Sequence, residues 1–102
     1  MGGRVTISTH VLDAQRGRPA VGLAVRLERD GETVAQARTG EDGRITGWPS
    51  DRAGVYRLVF DTGDVAPFFP EVVLTFRVTE PGEHHHVPLL LSPFAYSTYR
   101  GS

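Results

Sequence analysis

Cysteine is absent from these 102 residues, which removes disulfides, thiolate nucleophiles and cysteine-ligated metals together. Lysine is absent too. All eleven basic residues are arginines, set against twelve acidic ones, for a formal net charge of −1. That balance leaves no electrostatic footprint for nucleic acid or another polyanion, and the exclusive use of arginine reads as a coding bias. No apolar run approaches the ~18 residues a membrane helix needs. Met1-Gly2-Gly3-Arg4-Val5 holds no apolar stretch that serves as a signal peptide, and Tyr99-Arg100-Gly101-Ser102 is not the usual peroxisomal tripeptide. The expectation is a cytoplasmic protein with neither membrane nor nucleic acid as partner. Its length suits one domain, 1–102, with one hydrophobic core.

What is present is a series of short strands separated by turn signals. Val5, Ile7, Thr9 and Val11 alternate with Thr6, Ser8, His10 and Leu12, the period-two pattern of a half-buried strand. Arg16-Gly17-Arg18-Pro19 breaks it. Val21, Leu23, Val25 and Leu27 alternate with Gly22, Ala24, Arg26 and Glu28, and Asp30-Gly31 supplies a hairpin turn. Further strands are expected over Thr33–Thr39, Val55–Phe60, Val72–Val78, His85–Leu91 and Ala95–Tyr99. No ten-residue stretch shows a helical period, and in Asp61–Pro70 the prolines Pro67 and Pro70 allow a helical turn at most. Seven or eight strands with such spacing predict an all-β antiparallel β-sandwich.

Alternation also sorts the residues that carry chemistry. With Val5, Ile7 and Val11 on the core face, His10 falls on the opposite face beside Thr6 and Ser8. A lone histidine there is ordinarily solvated. In His84-His85-His86, the outer two share a face with Pro88 and Leu90, while His85 shares the apolar face of Val87, Leu89 and Leu91. Two histidines two apart on a strand can hold zinc, but a zinc site takes at least a third protein ligand and none is matched to them here. Arg44 follows the Asp42-Gly43 turn where a strand begins; a guanidinium there is either solvated or holds an anionic or carbonyl oxygen. Trp48, before Pro49, reads as a packing residue. No nucleophile elbow, phosphate loop or dinucleotide fingerprint occurs.

The C-terminal run adds more. His86-Val87-Pro88-Leu89-Leu90-Leu91-Ser92-Pro93-Phe94-Ala95-Tyr96-Ser97-Thr98-Tyr99-Arg100-Gly101-Ser102 resembles the terminal signature of the 5-hydroxyisourate hydrolases, a transthyretin-related family whose chains end in the same tetrapeptide. Ile7-Ser8-Thr9-His10-Val11-Leu12-Asp13, Gly17-Arg18-Pro19-Ala20, Thr39-Gly40-Glu41-Asp42-Gly43-Arg44 and Phe68-Phe69-Pro70-Glu71-Val72 match it as well. The chain departs from the pattern by a shorter stretch between Asp64 and Phe68, where relatives often place a short helix, and by histidine at position 85, more often tyrosine.

The resemblance implies a transthyretin-like sandwich and a homotetramer, a dimer of dimers with the active sites in the channel between them. It implies hydrolysis of 5-hydroxyisourate without metal or cofactor. His10, Arg44 and His86 would be catalytic; His10, Arg44, Tyr99 and Ser102 would bind substrate. The alternatives are a transthyretin-like carrier of small ligands, which would lack the terminal tetrapeptide and the histidine pair, and a metal-binding module using His84 and His86.

Overall fold

The computed structural model describes residues 6–50 and 52–101. Val5, assigned above to the core face, and Ser102, expected at the substrate, lie outside the described residues. The rest folds into strands β1 (Thr6–Asp13), β2 (Arg18–Pro19), β3 (Ala24–Arg29), β4 (Glu32–Arg38), β5 (Arg44–Pro49), β6 (Gly54–Asp61), β7 (Glu71–Val78), β8 (His85–His86), β9 (Leu89–Leu91) and β10 (Tyr96–Thr98). The expected all-β sandwich is borne out: one sheet runs β4-β3-β6-β7, and the other is built around β1.

Alternation decides what each strand buries. Ile7, Thr9 and Val11 of β1 are fully buried, and they meet Leu27, Tyr56, Leu58, Phe60, Val72 and Val78 from the facing sheet. Burying each such aliphatic side chain stabilises the fold by about 1.5–3 kcal/mol. Two buried polar groups in this layer find partners close by. Thr9 Oγ1 donates to the Val87 carbonyl at 2.6 Å, and the Tyr56 hydroxyl donates to the Arg52 carbonyl at 2.7 Å.

Three features differ from the expected strands. The sheets are not antiparallel throughout, because β8 and β9 both run parallel to β1. Such pairing requires a long crossover, which the whole second sheet supplies. The expected strand His85–Leu91 is split: Val87 N donates to the Ser8 carbonyl at 2.9 Å, but Pro88 has no N–H to give. Asp61–Pro70 closes a single turn, with Ala66 N donating to the Thr62 carbonyl at 2.9 Å, and goes no further. No helix occurs among the described residues.

Candidate active site

The outer face of the β1 sheet carries Thr6, Ser8, His10 and Leu12, as alternation required. Its neighbour β5 pairs antiparallel with β1 and sets His10 directly opposite Arg44. Two local features hold that register. At Gly43 the chain lies so close to β1 that a Cβ would stand 2.6 Å from the Val11 carbonyl oxygen, and φ is +77°. Only glycine meets both demands. Asp42 then accepts the Arg44 N–H at 3.0 Å, with its other oxygen 3.9 Å from Arg44 Nε. Further along, the pairing Ile7↔Trp48 and Thr9↔Ile45 leaves β5 one residue longer than β1, with Gly47 at φ +78°. This bulge lets Ile45 and Trp48, three apart, both face the core while Arg44 faces out.

From the other neighbour comes His86. The parallel register places His86 beside Ser8 and His85 beside Ile7. His86 Nδ1 lies 2.7 Å from Ser8 Oγ. The same hydroxyl lies 3.1 Å from His84 Nε2, and His84 Nδ1 is 2.6 Å from Thr6 Oγ1. Ser8 is only 4% exposed, although it stands on the outer face. The chain's C-terminal stretch folds back over this cluster. Gly101 N donates to the His86 carbonyl at 2.7 Å, and a Cβ on Gly101 would stand 2.5 Å from Cδ2 of the His86 ring. Arg100 ties the stretch down through Glu83 at 3.1 Å.

The His86 imidazole is held below its ordinary pKa of 6.5, first by its partial burial and then by the charges of Arg44, His84 and His10 around it. A neutral ring beside a fixed guanidinium is suited to take a proton from water while the cation stabilises a developing oxyanion. Among the described residues no three His, Asp or Glu side chains are grouped to hold a metal ion.

Of the sequence candidates, the fold therefore brings His10, Arg44 and His86 together on one face. Tyr99 does not join them: β10 ends at Thr98, and Tyr99 lines a cavity of about 330 Å³ with Val73–Arg77, His85 and Val87, at the edge between the two sheets. His85 is buried in the core layer, and its Nδ1 has no partner among the described residues. Sequence reasoning passed over Ser8 and Thr6 as site members. Their signal was the alternation that put them on the face of His10, but only the β1–β8 register shows what they touch.

The profile of the HIUase/Transthyretin family matches residues 7–101. The chain is 42% identical over 113 residues to the 5-hydroxyisourate hydrolase of Salmonella typhimurium, covering 98% of this chain and 83% of that one. It is 43% identical over 112 residues to the 5-hydroxyisourate hydrolase of Caulobacter vibrioides, covering 94% and 97%. Among solved structures, the 5-hydroxyisourate hydrolase of Klebsiella pneumoniae superposes with a TM-score of 0.86 at 39% identity, over 96% of this chain and 99% of that one. Fold, terminal signature and these likenesses agree: the chain belongs to the HIUase/Transthyretin family.

Proposed function

We propose that this protein hydrolyses 5-hydroxyisourate, in the breakdown of urate, on the face formed by His10, Arg44 and His86. The observation that carries the reading is the convergence of two imidazoles and a guanidinium from three strands, with Gly101 packed on one of the rings. Hydrolase relatives of similar length, matched nearly end to end, favour this over a carrier without catalysis.

The reaction adds water to the C6 carbonyl and opens the six-membered ring, giving 2-oxo-4-hydroxy-4-carboxy-5-ureidoimidazoline. His86, held neutral, takes a proton from water as the oxygen bonds to C6. Arg44 stabilises the oxyanion that forms. As the carbon–nitrogen bond breaks, an imidazolium returns a proton to the departing nitrogen, and His10, across from Arg44, stands where it can share that transfer. The terminal segment closes the pocket through Gly101 on the His86 ring, with Ser102 next to it in the chain to orient substrate, while Tyr99, at the other cavity, anchors the segment. Every role falls to an imidazole, a guanidinium or a hydroxyl, so the scheme needs no metal or cofactor. The reading treats 1–102 as one domain, located in the cytoplasm, and places the site in the channel of a homotetramer.

The direct test generates 5-hydroxyisourate in the cuvette with urate oxidase and follows its disappearance. The protein should accelerate decay well beyond the spontaneous rate, and EDTA should not diminish the effect. An unchanged decay rate would return the channel to the carrier reading.

A further inference from the structure

His84 is the histidine that the proposed reaction leaves without a task, yet both of its ring nitrogens are engaged. Thr6 Oγ1, His84, Ser8 Oγ and His86 follow one another at 2.6, 3.1 and 2.7 Å. We infer that Thr6, Ser8 and His84 are positioning residues for His86: one hydrogen-bonded chain whose direction decides which His86 nitrogen carries the proton. The inference rests on the catalytic role proposed for His86.

The argument is one of proton counting. A serine hydroxyl has a single proton to donate and two lone pairs to accept with. Ser8 is buried, so leaving its proton unused there is costly. Flanked by two neutral imidazoles, it must donate to one and accept from the other. Two directions result. In one, His86 Nδ1–H donates to Ser8, Ser8 donates to His84 Nε2, and His84 Nδ1–H donates to Thr6. His86 then presents a bare Nε2, the form that takes a proton from water. In the other, Thr6 donates to His84 Nδ1, His84 Nε2–H donates to Ser8, and Ser8 donates to His86 Nδ1. His86 then presents Nε2–H, the form that gives a proton to the departing nitrogen.

Reaction reverses the His86–Ser8–His84 links of the first direction, while His84 Nδ1–H keeps donating to Thr6. When Nε2 takes the water proton, the Nδ1 proton passes to Ser8 Oγ and the Ser8 proton passes to His84 Nε2. The positive charge comes to rest on His84. Return of the proton from His84 through Ser8 to His86 Nδ1 accompanies release of the Nε2 proton to nitrogen, so no proton is gained or lost. His84 is exposed, whereas His86 is half-buried and faces Arg44, His10 and His84 itself. Solvent therefore favours the charge on His84.

One consequence is independent of rates: neutral His84 and His86 must share the same tautomer, both Nδ1–H or both Nε2–H. Long-range ¹H–¹⁵N spectra of the intact protein at about pH 8, where reference imidazoles are neutral, should show this, with signals assigned through the His84→Gln variant. Opposite tautomers would overturn the inference whatever the enzyme does. In kinetics, Ser8→Ala should lower kcat by about 10–100-fold, the same size of loss as removing the partner that orients a metal-bound histidine. KM should stay within about threefold, because the chain holds the base and not the substrate. His84→Phe should act in the same sense. Full kcat in Ser8→Ala would overturn the chain while active wild-type protein kept the hydrolase reading intact. Inactive wild-type protein would sink the hydrolase reading, leaving the tautomers to decide the chain.

Discussion

His86 is constrained from every side: Ser8 holds Nδ1, Gly101 covers the ring edge, and Arg44, His84 and His10 oppose its protonation. Its partial burial first, and then those three charges, hold its folded-state pKa below 6.5, so the neutral base persists to lower pH than in a free imidazole. The acidic limb of kcat/KM, which reports the free enzyme, should accordingly fall at a pH below 6.5. Arg44→Gln removes one opposing charge and should move that limb upward, besides slowing the reaction. A limb centred above 6.5 in the wild-type protein would contradict the assignment. The same shift has a stability consequence of defined sign. The folded state resists protonation that the unfolded chain accepts, so stability declines as pH drops below 6.5 and is untouched above it. Substitution separates the two outer histidines. His86→Ala should cost roughly 10²–10⁴-fold in turnover as loss of a general acid–base group. His84→Phe should cost less, because it acts only through His86. Equal losses would mean that both imidazoles contact the reacting atoms.

At the scale of elements, the site is made by registers more than by residues. Strand periodicity made most of the sandwich legible: the buried positions of β1, β3, β6 and β7 follow the apolar alternation in the sequence. It also placed His10 with Ser8, and His84 with His86, on outer faces. What periodicity cannot give is which strand lies beside which. The contact between Ser8 and His86 spans 78 positions and depends on a parallel pairing that turn signals between neighbouring strands do not announce. β5 was legible only at its Arg44 end, because the Gly47 bulge breaks the alternation between Ile45 and Trp48. The terminal segment is a third case. Its motif was plain in the sequence, whereas the packing of Gly101 on His86 was not. That packing gives a test. Gly101→Ala puts a methyl 2.5 Å from the ring, so either the segment lifts or His86 turns. Turnover should fall at least about tenfold, equal to ~1.4 kcal/mol in the barrier. The thermal midpoint should hardly move, since the substitution lies outside the core. Removing residues 99–102 should abolish turnover while leaving a cooperative unfolding transition. An active truncated protein would show that the terminal segment is not part of the site.

For the whole molecule, the question is what covers the face that bears the cluster. Leu12 and Leu90 stand side by side there, half-buried, next to His10 and His86. Elsewhere the single chain leaves large aromatics in solvent: Phe68 is 66% exposed, Phe94 77% and Tyr99 59%. Phe68 packs against both Phe69 and Phe94, with ring centroids 5.0 and 5.6 Å apart, so these three phenylalanines form a patch and not scattered singles. Contiguous exposed apolar patches of this kind ordinarily mark an interface. Strands β7 and β10 moreover end their sheets, among the described residues, with unpaired backbone edges, which closed symmetric assembly can satisfy. Two different surfaces thus call for cover, an edge and a face, and a dimer of dimers covers both where a simple dimer covers one. Light scattering at micromolar concentration should therefore return four times the chain mass. Charge introduced at Leu90 (Leu90→Glu) lies on the cluster face and away from the core layer. On the proposed tetramer it should leave dimers, and turnover should fall with it, because a site in the proposed channel would lose its opposite wall. A monomer in solution would contradict the interfacial site, and full turnover in Leu90→Glu dimers would show that one face suffices for the chemistry.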